Sequence, residues 1–165
     1  MTPQDSVERY QLEQRMKSGA NWFYWIAALS LVTSLISLAG GSWGFFISLG
    51  VTQLIDGLAT AVAEEAGWGF KVVALVFDLV AAGLFALIGY FANKRYGWVF
   101  LAGMVIYALD ALVFLLVRHW LGLAFHAFAL YSMYGGYRAA AALAELDRQT
   151  PPPAPEPVGW NASSQ

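Results

Sequence analysis

Cysteine is absent from the chain. That removes disulfides, thiolate metal sites, thioether attachment of haem and dithiol redox chemistry, and it leaves the compartment open. Charge is scarce too: Asp, Glu, Lys and Arg make up 12% of 165 residues, about half the share usual in a soluble domain. The net charge of −2 comes without any basic run of the kind that tracks phosphates, so nucleic acid is not an expected partner. Neither a His-Glu-x-x-His helix nor a phosphate-cradling Gly-x-x-x-x-Gly-Lys loop occurs.

What fills the sequence instead is apolar. Hydrophobic residues make up 59% of it, more than a water-soluble core of this length can hide, because small domains leave much of their area exposed. The excess must face lipid. A helix needs about 20 apolar residues to cross the hydrocarbon layer at ~1.5 Å per residue, and four windows meet or approach this: 22–39, 70–92, 97–117 and 120–141. They are continuous rather than alternating, which argues for helices and against a β-barrel. A cleavable signal peptide is not expected, since the first apolar run follows a segment bearing Asp5, Glu8 and Glu13.

The stretch 44–65 is long enough for a further crossing but carries Ser48, Thr52, Asp56, Thr60 and Glu64 at four-residue intervals, with Gln53 beside them. That spacing gathers them into one polar stripe, the mark of an amphipathic helix. Basic residues decide its placement, because Lys and Arg stay on the cytoplasmic side. Four crossings from an inner N-terminus put Arg9, Arg15, Lys17, Lys94, Arg95, Arg138 and Arg148 inside, against Lys71 and Arg118 outside. A fifth crossing through 44–65 nearly equalises the two sides. The sequence therefore predicts an all-α, polytopic membrane bundle with four transmembrane helices, one amphipathic helix on its outer face, and both termini cytoplasmic.

Three parts follow from this reading. Residues 1–21 form a cytoplasmic segment, with Asp5 placed to cap a short surface helix up to Lys17. Residues 22–148 form the membrane domain. The Pro-rich stretch 149–165 cannot build a core and is expected to be extended or disordered.

Ionisable groups at membrane depth cost about 2.5 to 3.5 kcal/mol each on insertion scales, so they face a protein interior or a wet cavity. The chain carries Asp78, Asp110 and His126 within its spans. Counting from the outer ends at ~1.5 Å per residue puts all three roughly 9 to 12 Å deep. Ser34 lies on a polar face of the first span at the same level, Tyr107 shares a face with Asp110, and Asp56 and Gln53 are expected above the layer. The expected site is thus an outward-facing polar pocket of Asp78, Asp110, His126, Asp56, Ser34, Gln53 and Tyr107, roofed by 44–65. Its expected use is to bind a small ligand, proton or cation in a transport-like or sensor module.

Two other readings compete with it. An accessory or assembly subunit, in a homo-oligomer or a larger membrane complex, would use the same polar groups only to fix helix register. A metal-dependent membrane enzyme would take Asp78, Asp110 and His126 as ligands, with Asp78 or Asp110 as general base. No local ligand motif supports the metal, and the sequence leaves any cofactor unknown.

Overall fold

A computed structural model describes residues 3–38, 68–116 and 118–149. The predicted amphipathic helix 44–65 and the tail beyond residue 149 lie outside the described residues. The described chain is entirely helical: α1 (Pro3–Leu38), α2 (Trp68–Asn93), α3 (Gly97–Leu116) and α4 (Trp120–Gln149). The segment expected to form a separate surface helix is instead the first part of α1, which runs unbroken for 36 residues. No proline follows Pro3 within it, and Gly19, its only glycine, sits where another helix supports it.

Three of the helices, within Gln4–Ile36, Val72–Asn93 and Gly97–Leu116, are long and apolar enough to cross a membrane. The surface agrees with that. Large apolar side chains are exposed on every helix, among them Trp25, Leu35, Val73, Val80, Leu109 and Phe128, far beyond what a water-exposed surface carries. The fourth helix is 30 residues long but is diluted by His126, Ser132, Arg138 and several tyrosines.

The buried faces mix small residues with a few large ones, among them Phe23, Phe100 and Tyr107. On α1 the buried positions Met16, Ala20, Phe23, Ile26, Ala27, Ser30 and Ser34 recur every three or four residues, and on α4 so do Gly122, His126, Ala129, Met133, Gly136 and Ala140. Helix α1 packs against both α2 and α4, and α3 packs against α4 and more thinly against α2. At the α1–α4 crossing two glycines let the backbones touch: a Cβ added to Gly19 would lie 2.5 Å from the Gly136 Cα. Higher in the core, Gly103 leaves the space that the Phe23 ring and Ile88 occupy.

The two short turns are built alike. In the first, the Arg95 amide bonds the Ala92 carbonyl and the Tyr96 amide that of Phe91; in the second, Arg118 bonds Leu115 and His119 bonds Phe114. These are Schellman endings, and each places an arginine at the left-handed position, with φ of 69° at Arg95 and 54° at Arg118. The apolar contact that completes the motif is present in both, as Phe91 against Tyr96 and Phe114 against His119. His119 then caps α4, its Nδ1 accepting the Gly122 amide at 3.1 Å.

Arg95 also closes a charge cluster at that end of the bundle, pairing with Glu13 of α1 and Asp147 of α4, while Arg9 reaches Asp147 at 2.6 Å. The start of α1, the α2–α3 turn and the end of α4 therefore share one end, which makes the bundle up-down-up-down. Exposed pairs of this kind contribute at most about 1 kcal/mol each, so the cluster aligns the helix ends more than it stabilises them.

Two substitutions separate these effects. Gly19→Ala must push α1 and α4 apart and should lower the unfolding free energy in a detergent titration by about 1 to 3 kcal/mol, whereas Gly83→Ala, with open space around its Cβ position, should leave it unchanged or raise it slightly. Arg118→Gly relieves a left-handed backbone and should stabilise by about 1 kcal/mol, while Arg95→Gly should gain less because it also loses two ion pairs.

Candidate functional site

The α3–α4 turn sets the register of everything buried between these helices. Residues equidistant from Arg118 face each other: Phe114 and Gly122, then Asp110 and His126, then Phe100 and Gly136. Asp110 and His126 are almost wholly buried, 5% and 1% exposed, so neither can rely on water.

Their hydrogen bonds fix the protons. His126 Nδ1 lies 2.8 Å from the Gly122 carbonyl oxygen, and a carbonyl only accepts, so Nδ1 carries hydrogen. His126 Nε2 lies 3.0 Å from Asp110 Oδ2. One proton must lie between them, either on an imidazolium facing a carboxylate or on a carboxylic acid donating to a neutral imidazole. In both forms the pair is uncharged overall and differs only in which atom holds the shared proton.

Aromatic rings enclose the imidazole. Tyr107 stacks on it with centroids 4.3 Å apart and planes 14° from parallel, and Phe114 leans over it at 4.6 Å. Phe114 can sit there only because Gly122 has no side chain: a Cβ at that position would lie 2.4 Å from the ring. Tyr107 in turn meets Phe85 of α2 edge-on, which ties the site to the rest of the core.

The second polar contact joins α1 to α2. Ser34 Oγ is 2.5 Å from Asp78 Oδ2 and 3.0 Å from the Ser30 carbonyl oxygen. A hydroxyl has one hydrogen. If Ser34 donates it to Ser30, Asp78 is the donor and is a neutral acid; if Ser34 donates to Asp78, the carboxylate is the acceptor. Beside this contact the Ser30 hydroxyl is fully buried and makes no hydrogen bond among the described residues.

The expected site is thus distributed over two contacts. Asp110, His126 and Tyr107 come together between α3 and α4, and Ser34 meets Asp78 between α1 and α2. Among the described residues no three His, Asp or Glu side chains converge on a position for a metal ion. Asp56 and Gln53 lie outside the described residues. Phe114 and Gly122 were not anticipated; the signal for them was that each stands four residues from Asp110 or His126 on the same helix face.

Gly40-Gly41-Ser42-Trp43-Gly44 matches the letters of a nucleophile elbow, but it too lies outside the described residues, and no strand that could lead into such a turn occurs among those described. Comparison with known proteins returns no family model, no curated protein and no solved structure that matches the chain. The class defined by fold and composition is a helical bundle with three helices able to span a membrane.

The proton arrangement has a direct readout. Nitrogen NMR of ring-labelled protein should show His126 Nδ1 protonated, and Asp110→Leu should change the Nε2 signal while lowering stability by about 1 to 2 kcal/mol, the range for a single hydrogen bond inside a membrane bundle.

Proposed function

We propose that the chain is a four-crossing membrane protein with both termini in the cytoplasm, and that its buried Asp110–His126 pair, with Asp78 and Ser34, binds a small ligand, proton or cation in a transport-like or sensor module. The crossing of α4 is supported by its packing along α1 and α3, two helices apolar enough to span. The orientation is supported by the cationic end of the bundle, where Arg9, Arg15, Arg95, Arg138 and Arg148 outnumber the bases at the other.

One observation carries the functional reading: a carboxyl and an imidazole from different helices, both buried, lie within hydrogen-bond distance of each other at 3.0 Å. A membrane helix bears the insertion cost of two ionisable groups without gaining an apolar contact, and sites of proton or ion handling are where such groups usually occur. Of the three ligand classes the proton fits best, because both imidazole nitrogens are already engaged, by Gly122 and Asp110, beneath the rings of Tyr107 and Phe114. A second reading, an accessory subunit of a larger membrane complex, is favoured by the fact that the pair is satisfied within the chain.

Protein reconstituted in vesicles enclosing a pH-sensitive dye tests the proposal. Proton movement or uptake is expected for the native chain, and Asp110→Asn or His126→Gln should reduce it at least tenfold while the protein still inserts and folds. If Asp110→Asn changes unfolding stability alone, with proton uptake and the infrared signature of a titrating acid both unaltered, the pair is structural and the subunit reading replaces this one.

A further inference from the structure

The meeting of Gly19 and Gly136 leaves a hollow on the outside of the α1–α4 seam. An open groove of about 650 Å³ lies there, with Ser18, Trp22, Tyr131 and Tyr134 among its walls and Arg15 and Arg138 at its edge. A second hollow of about 410 Å³ shares Ser18 and Trp22 with it and continues along Trp25, Leu29 and Phe125. The two form one furrow with arginines at one end, a mixed wall of serines and tyrosines beside them, and a mostly apolar continuation along Trp22, Trp25, Leu29 and Phe125.

The two arginines differ from their neighbours. Arg9 and Arg95 are held by Glu13 and Asp147, and Arg148 by Glu145, but Arg15 and Arg138 form no ion pair among the described residues. Both are exposed and both border the same groove. From Arg15 to Leu29 the helix rises ~21 Å, a length that takes a headgroup and much of one acyl chain. Trp22 stiffens the wall between, held edge-on by Phe125 and Phe128.

We propose that this furrow binds an anionic phospholipid of the inner leaflet, with the headgroup phosphate between Arg15 and Arg138 and an acyl chain along Trp22, Trp25 and Leu29. The inference rests on the membrane orientation proposed above and is independent of the Asp110–His126 pair. Charge complementarity selects an anion, guanidinium groups match phosphate oxygens geometrically, and the apolar continuation selects an amphiphile over a free ion.

The test uses the full chain in mild detergent, with thermal unfolding and native mass spectrometry read after adding phosphatidylglycerol, phosphatidylcholine or inorganic phosphate. Phosphatidylglycerol should raise the melting temperature and survive as a bound adduct; phosphatidylcholine and phosphate at matched concentration should do neither. Each of Arg15→Gln and Arg138→Gln should weaken phosphatidylglycerol binding about fivefold, the value of one interfacial basic residue, and the double variant about twenty-fivefold. Arg148→Gln, at an exposed and paired position, should bind as the native chain does. Equal binding of the two lipids, undiminished binding by the double variant, or the same stabilisation by phosphate alone would each overturn the proposal. Should the double variant not fold, the single variants decide. Absence of proton uptake by the native chain, with lipid selectivity present, would count against the pair and leave this site standing.

Discussion

Hydrocarbon offers no hydrogen-bond partner, and this constraint governs the bundle more than any individual contact. Polar groups placed in a helix that can span a membrane are driven to find partners within the protein, and most of those described do, the Ser30 hydroxyl aside. Thr33 therefore turns back onto the carbonyl oxygens of Leu29 and Ser30, His126 onto that of Gly122, and Asp110 and Asp78 reach neighbouring helices. The interhelix bonds fix which residues lie level, since sliding α4 along α3 by one turn would strand both a carboxyl and an imidazole. Apolar packing is much less selective about register, because a leucine slides onto lipid at little cost.

Small residues make those bonds reachable. Helices that carry bulky side chains on their facing surfaces stay about 8 to 10 Å apart, and glycine brings them closer. Here Gly19 and Gly136 bring α1 onto α4, Gly122 admits Phe114 above the imidazole, and Gly103 admits Phe23. Many leucines, valines and aromatics are exposed on the outside, the kind of surface that a membrane-spanning bundle turns to lipid. Polar bonds and glycine contacts thus act together: the first chooses the register, and the second lets the helices come near enough to use it.

Much of this was legible beforehand. Helical class, three of the four expected spans and the burial of Asp78, Asp110, Tyr107 and His126 follow from length and from three- and four-residue spacing alone. The partners were less legible. Depth counting put Asp78, Asp110 and His126 in a common layer but could not say which pairs bond, because depth leaves the rotation of each helix and the order of helices around the bundle undetermined. That order follows from contacts such as the glycine crossing, whose two members lie over a hundred residues apart in sequence. The continuity of α1 was also hidden, since a change from mixed to apolar composition near Trp22 resembles a boundary although the backbone passes through it without a break.

The cluster of Arg9, Glu13, Arg95 and Asp147 fastens three pieces of the chain at a single pole of the bundle. The start of α1 and the end of α4 consequently lie side by side, while the end of α1 and the start of α2 lie at the opposite pole. A partner that binds the first turns of α1 is therefore already beside the last turns of α4. The molecule has a handle and a face, and the polar contacts at Asp78 and His126 lie toward the face.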